Sequence, residues 1–206
     1  MRIGIFGGTF DPPHVGHQIL ADEAVAQLNL DRLLWVLTPD PPHKQGQMIT
    51  GLDCRLEMVK AATANNSAFE LSRVDIDRHG PHYAVDTVQI IKKQFPSAEL
   101  FYIIGGDSLH DLPSWYHPQQ LLAEVDGLAV MHRPGDQIDL RLLEEKLPGI
   151  GAKIRYIDAP LLEISSRQIR ERISHGEGYR YYLPPAVLNI IQRENLYHFL
   201  SVAPLE

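Results

Sequence analysis

Along most of the chain, short apolar bursts alternate with longer stretches in which apolar residues recur at helical spacing. Arg2–Phe6 reads as a buried strand, followed by a helix over Val15–Leu28 with Ile19, Leu20, Ala24 and Leu28 on one face. Leu33–Leu37 predicts a second strand, stopped at Thr38-Pro39. A second helix runs from Thr50 or Gly51 to Asn65, with Leu52, Leu56, Val59 and Ala62 on one side. Phe69–Ile76, Leu100–Ile104, Gly127–Met131 and Ile154–Ile157 supply the remaining strands. Tyr83–Gln94 suits a helix closed by Phe95-Pro96. Ser166–Ser174 and Pro184–Arg193 finish the pattern, the latter opening on prolines suited to a first turn. Strands that alternate with helices imply right-handed crossovers and a mostly parallel sheet covered on both faces. The expected fold is α/β: a doubly wound, Rossmann-like sheet with a small C-terminal helical extension. One domain is expected over residues 1–206, with 166–206 as its helical part and with Gly46–Gly51 and His132–Ile138 as internal loops. Ligands belong at the carboxyl ends of the strands, near the switch point of strand order.

Composition narrows the class. Apolar residues make up 44% and charged residues 22% of 206, an ordinary globular balance that excludes disorder and a fibrous repeat. The 26 acidic against 19 basic residues leave a net charge of −7, which argues against a nucleic-acid partner. An anionic ligand must therefore be held by a local cluster. No run approaches the ~18–20 apolar residues of a membrane span, and Met1-Arg2-Ile3-Gly4-Ile5-Phe6 carries no signal-peptide pattern. Lone Cys54 allows no internal disulfide and no thiolate metal cage. A cytoplasmic protein with no membrane partner is expected, and homo-oligomerisation stays open.

The strongest chemical signal follows the first strand: Gly7-Gly8-Thr9-Phe10-Asp11-Pro12-Pro13-His14-Val15-Gly16-His17. Two glycines permit a sharp turn and bring main-chain N–H groups close to a phosphate. A helix begins just beyond, and its unpaired N–H groups and positive dipole end favour an anion. His14 and His17, three residues apart, project from one side of the first turn and can converge on phosphoryl oxygens. The spacing matches neither Gly-x-Gly-x-x-Gly nor the Walker pattern, so a dehydrogenase or P-loop assignment has no fingerprint. Zinc binding lacks His-Glu-x-x-His and a nearby thiolate. A structural pair of surface histidines is the remaining alternative.

The run from Gly7 to His17 resembles the signature of the nucleotidyltransferase superfamily that carries a His-x-Gly-His motif, enzymes that join a nucleoside triphosphate to a phosphate-bearing acceptor and release pyrophosphate. Glu163-Ile164-Ser165-Ser166-Arg167-Gln168-Ile169-Arg170 resembles its second signature, Ile-Ser-Ser-Thr-x-Ile-Arg, with Arg167 in place of the usual Thr. On physical grounds Ser165 or Ser166 can cap a helix, and Arg170 lies one turn along with a donor fork suited to phosphate. Pro41-Pro42-His43-Lys44, together with Arg55 and Met58, is similar to the bacterial nicotinate-nucleotide adenylyltransferase branch. So are Pro81-His82-Tyr83-Ala84-Val85-Asp86-Thr87, where Ala84 replaces a Thr, and Ile104-Gly105-Gly106-Asp107-Ser108-Leu109 with Leu112 and Trp115-Tyr116.

The resemblance implies transfer of AMP from ATP to nicotinate mononucleotide, giving deamido-NAD and pyrophosphate. It assigns catalysis to His14, His17, Lys44 and Arg170, and ATP binding to those histidines and Arg170 with Gly7, Gly8, Thr9, Phe10, Gly105, Asp107 and Ser166. Tyr83, Thr87, Trp115 and Tyr116 go to the acceptor, with main-chain N–H groups around Thr87 and Tyr116 facing the nicotinate carboxylate. Mg²⁺ is expected to travel with ATP, with no metal site built by the protein itself. The rival readings are an adenylyltransferase with another acceptor (nicotinamide mononucleotide, phosphopantetheine or FMN) and a non-catalytic nucleotide sensor.

Overall fold

The computed structural model describes residues 1–41, 48–132, 139–160 and 162–198. Six strands form one all-parallel sheet: β1 (Arg2–Gly8), β2 (Arg32–Leu37), β3 (Phe69–Ser72), β4 (Glu99–Gly105), β5 (Gly127–His132) and β6 (Ile154–Asp158). Their order is β3-β2-β1-β4-β5-β6, so the chain reverses direction across the sheet between β1 and β4. This is the doubly wound arrangement that the alternating pattern predicts.

The helices between strands are α1 (Val15–Leu28), α2 (Leu52–Thr63), α3 (Ala84–Gln94), α4 (Gly106–Asp111), α5 (Pro118–Glu124), α6 (Leu140–Lys146) and α7 (Ile150–Lys153), and α8 (Ser166–Ser174) and α9 (Pro185–Arg193) follow β6. Period-two side chains on buried strands feed two cores. Ile3, Ile5, Leu34, Val36, Leu100, Tyr102 and Ile104 face α3 and α5. Leu33, Trp35, Leu37, Phe101 and Ile103 face Leu20, Ala21 and Ala24 of α1 and Val59 of α2. A third cluster joins Met58 and Ala62 of α2 to Ile169, Ile173, Val187 and Ile191. α2 therefore buries two stripes, one on the sheet and one on the C-terminal helices. Of the expected single face, Leu52, Leu56 and Val59 pack toward the sheet, whereas Ala62 joins Met58 on the stripe against the C-terminal helices.

The strand expected over Phe69–Ile76 ends at Ser72. The Ser72 hydroxyl accepts the Val74 N–H at 3.4 Å, and the Asp77 N–H closes onto the Arg73 carbonyl at 2.9 Å, so the backbone turns. Four short helices, α4 to α7, stand where sequence periodicity registers nothing. Each has four to seven residues, too few turns to display a stripe.

Phe101 and Gly127 are register partners on β4 and β5, and the ring lies where a side chain at 127 would go. A Cβ there would sit 2.8 and 2.9 Å from two ring carbons of Phe101, which is 3% exposed. Gly127→Ala is expected to cost about 1–3 kcal/mol through overpacking. Urea denaturation followed by circular dichroism measures it, with the slope unchanged.

Candidate functional site

The first strand ends in a turn whose shape is set by packing against an aromatic ring. Phe10 adopts φ 46° and is buried, and its ring closes over Gly8, where a Cβ would lie 2.9 Å from a ring carbon. A side chain at position 8 would expel that ring. Thr9, Asp11 and His14 are buried with it.

Arg55, only 2% exposed, holds this turn from α2. It donates to the carbonyls of Thr9, Thr38, Pro39 and Thr50 at 3.0, 3.0, 2.8 and 2.8 Å. One cation thus joins the carboxyl ends of β1 and β2 to the start of its own helix. Asp11 makes the second junction. Its carboxylate accepts the Thr50 N–H at 3.2 Å and the Tyr197 hydroxyl at 2.7 Å, and its carbonyl accepts Arg170 at 2.7 Å. Burial, with the Asp11 charge behind it, holds the Tyr197 phenol well above its usual range, so it stays a donor. The Ser166 hydroxyl donates to the Pro12 carbonyl at 2.8 Å, while Ser165 caps α8 by accepting the Gln168 N–H.

His14 and His17 cap α1 reciprocally. The His17 N–H donates to His14 Nδ1 at 3.3 Å, and the His14 N–H donates to His17 Nδ1 at 3.1 Å. The rings stack with centroids 3.6 Å apart, and Phe10 meets His17 edge-on at 5.2 Å. An Nδ1 that accepts a main-chain N–H carries no proton, so each neutral ring bears its proton on Nε2. Burial lowers the pKa of His14 to about 4, which keeps that ring neutral. The pair is a set of neutral N–H donors at a helix N-terminus.

A cleft of about 800 Å³ opens at the carboxyl ends of β1, β2 and β4, at the switch point. Gly7, Gly8, Thr9, Phe10, His17, Ser166 and Arg170 line one part, and Tyr83, Thr87, Gly105, Asp107, Trp115 and Tyr116 another. A smaller cavity of about 400 Å³ shares His17, Leu20, Ser166 and Arg170 and adds His14, Ile19, Met131, Leu162 and Ile164. Lys44 lies outside the described residues. The other expected site residues converge on these two spaces.

Thr87 lines the cleft from the first turns of α3. Its own N–H bonds the Tyr83 carbonyl at 3.2 Å, and its hydroxyl donates to Asp75 at 2.7 Å. The N–H groups of Ala84, Val85 and Asp86, in the first turn of α3 without a side-chain cap, have no helical acceptors. Thr87 also ties the helix to Asp75, which Arg78 binds at 3.0 Å. Trp115 packs against the core and meets Tyr102 edge-on, and the half-exposed Tyr116 ring stacks on Tyr83 at 4.1 Å.

Sequence reasoning gave no role to Asp11, Asp75, Arg78 or Tyr197. Asp11 stood inside the motif. Tyr197 carried no signal, because its partner lies 186 residues away.

The cytidylyltransferase-like family model matches residues 5–172. The chain is 38% identical to nicotinate-nucleotide adenylyltransferase of Bacillus subtilis, over 95% of this chain and 98% of that protein. The chain belongs to the nicotinate-nucleotide adenylyltransferase family. A Thermomicrobium roseum protein named probable nicotinate-nucleotide adenylyltransferase is 40% identical over 95% of this chain and 91% of its own length. In fold, the chain is similar to Plasmodium falciparum nicotinic acid mononucleotide adenylyltransferase complexed with NaAD, with a TM-score of 0.77 and 23% identity. That likeness spans 96% of this chain and 98% of the other. Gly7, Gly8, Thr9, Phe10, Asp11 and His17, all within the matched residues, line the cleft.

The depressed His14 pKa fixes a pH dependence of stability. Unfolded His14 titrates at its ordinary 6.5 and folded His14 at about 4, so the unfolded chain binds more protons between those values. Stability from this group is complete above pH 6.5 and is lost as pH falls toward 4. At pH 5 the loss is about 2 kcal/mol relative to pH 7.5. His14→Asn, which keeps a capping oxygen, removes that increment. Urea melts of both proteins at the two pH values measure it.

Proposed function

We propose that this chain transfers the AMP moiety of ATP to nicotinate mononucleotide, giving deamido-NAD and pyrophosphate. The observation that carries the reading is the reciprocal His14–His17 cap, which holds two neutral Nε2 donors at the head of α1 beside a switch-point cleft. In the reaction an oxygen of the acceptor phosphate attacks the α-phosphorus of ATP, and the bond from that phosphorus to the bridging oxygen breaks. The nucleophile is already an anion near neutral pH, so no general base is required. The protein's task is in-line placement and stabilisation of charge as pyrophosphate leaves.

The family's resemblance and the cleft's lining support the following assignment. His14 and His17 donate to the phosphates, and Gly7, Gly8, Thr9 and Phe10 line them with main chain. Arg170, steadied by the Asp11 carbonyl, neutralises phosphate charge, and Ser166 brings the N-terminus of α8. Lys44 is given the same charge-neutralising task on the sequence resemblance. The smaller cavity, with apolar walls from Ile19, Met131, Leu162 and Ile164, suits the adenine ring. Gly105 at the end of β4 and Asp107 in the first turn of α4 are assigned to ribose hydroxyls. Mg²⁺ is assigned to travel with ATP, held mainly by phosphate oxygens and water.

The acceptor end lies at the uncapped N-terminus of α3. A nicotinate carboxylate can accept from every first-turn N–H there, whereas a carboxamide turns an NH₂ toward donors. Trp115 and the Tyr83–Tyr116 pair offer flat faces to the pyridine ring.

A pyrophosphate-release assay over a panel of acceptors tests the assignment. Nicotinate mononucleotide is expected to exceed nicotinamide mononucleotide by at least about tenfold in kcat/KM, the effect of about 1.4 kcal/mol at one mismatched group. Equal use of the amide overturns the acceptor, and no turnover with any acceptor overturns the enzyme. His17→Ala is expected to lower kcat roughly 10²–10³-fold, the range for loss of one transition-state donor. Arg170→Lys keeps the charge but not the fork that spans Asp11 and the phosphates. It is expected to lower turnover or ATP affinity at an unchanged melting temperature, measured by steady-state kinetics beside thermal denaturation.

A further inference from the structure

Tyr102 stands on β4 opposite Ile5 of β1, on the sheet face that packs against α3 and α5. It is 8% exposed, yet it lines the cleft. Its hydroxyl reaches past Ile5 toward Gly7, where a Cβ would lie 3.0 Å from that oxygen. Its ring meets the Trp115 ring edge-on, with centroids 6.2 Å apart. The hydroxyl therefore lies between the glycine turn and the aromatic end of the cleft. It makes no hydrogen bond among the described residues. Strands of this kind bury apolar side chains, and Phe would fill the same volume without a polar atom. The ring is buried while the hydroxyl opens onto the cleft, so Tyr102 presents a donor to whatever occupies that space.

Resting on the acceptor reading above, we infer that the Tyr102 hydroxyl binds the sugar-phosphate part of the acceptor mononucleotide. The pyridine ring belongs beside Trp115 and the reacting phosphate beside the Gly7-Gly8 turn, so the atoms between them must cross this hydroxyl. Burial, with the Asp75 charge second, holds the phenol well above its ordinary value. It remains an O–H donor to sugar or phosphate oxygen throughout the neutral range.

The test is Tyr102→Phe, which deletes one oxygen and leaves the ring. The acceptor KM is expected to rise five- to tenfold, about 1–1.4 kcal/mol. The ATP KM and the kcat at saturating acceptor stay within twofold. The melting temperature of the ligand-free variant equals or exceeds that of the wild type, because no hydrogen bond of the free protein is removed. Worse acceptor binding with undiminished stability is a pairing that a packing role does not produce. Where the acceptor KM rises, inhibition by nicotinate riboside locates the partner: a weaker Ki in the variant puts it on the sugar, an unchanged Ki on the phosphate. An unchanged acceptor KM overturns the inference, as does a parallel rise of both KM values with a lower melting temperature. Failure of the wild type to use nicotinate mononucleotide overturns the acceptor reading itself. Wild-type turnover with an indifferent variant overturns the Tyr102 contact alone.

Discussion

A buried guanidinium that has no carboxylate in direct contact among the described residues organises the rim of the cleft. Arg55 is desolvated, which lowers its pKa and opposes its charge, with Asp11 the first of the nearby charges acting the other way. Burial of a cation is tolerated only when its donors are met, and here four main-chain carbonyls meet them. Those carbonyls come from the turn after β1, the tail of β2 and the residue just before α2. Parallel strands end with their last carbonyls unpaired, and a cleft at those ends would otherwise leave them to water. The same bonds that satisfy Arg55 thus tie the two strand ends, already paired at Gly8 and Leu37, to the start of α2.

Asp11 carries the constraint to the far end of the chain. Three contacts from Thr50, Arg170 and Tyr197 meet on this one residue, and Ser166 adds a fourth tie to neighbouring Pro12. The third hydrophobic cluster brings α8 and α9 against α2, and the polar contacts set where they stop. Packing alone is tolerant of small shifts, whereas directional hydrogen bonds to the Asp11 carboxylate and to the Asp11 and Pro12 carbonyls are not. The helices after β6 are consequently part of the site's geometry, which explains why Arg170 can serve a turn 159 residues upstream.

What could be read from the chain, and what could not, divides along the range of the interactions. The strands over Arg2–Phe6 and Leu33–Leu37 were legible because a fully buried strand is a short apolar run. The histidine pair was legible because three-residue spacing at a helix start places both side chains together. Phe69–Ile76 misled because Val74 and Ile76 continue an apolar pattern, while Asp75, Arg78 and Thr87 take the backbone into a polar turn. At Thr87 the motif names a residue, but only the helix start, at Ala84, decides which N–H groups around it lack helical acceptors. Arg55 carried a resemblance without a role, since its four partners are carbonyls, which every residue has. Tyr102 was hidden in the apolar run of β4, where a hydroxyl is one atom among many.

The charge balance shows why the cleft is built this way. A chain of net charge −7 cannot gather a phosphate by a broad positive field, so the donors must be local. Neutral imidazoles held by reciprocal capping add hydrogen-bond donors without adding cations that would pair with nearby carboxylates such as Asp11. Their direction is set before any ligand arrives, because main-chain N–H groups occupy both Nδ1 atoms. The acceptor end follows the same economy, with the first turn of α3 left uncapped by any side chain. A lysine there would attract any anion and tolerate poor geometry. Main-chain N–H groups recognise an acceptor oxygen only where they point, and they leave an unpaired, desolvated donor when an amide NH₂ takes its place. In the proposed function, selectivity for an acid over its amide comes from the rigidity of a helix start, which the Thr87–Asp75 bond supports.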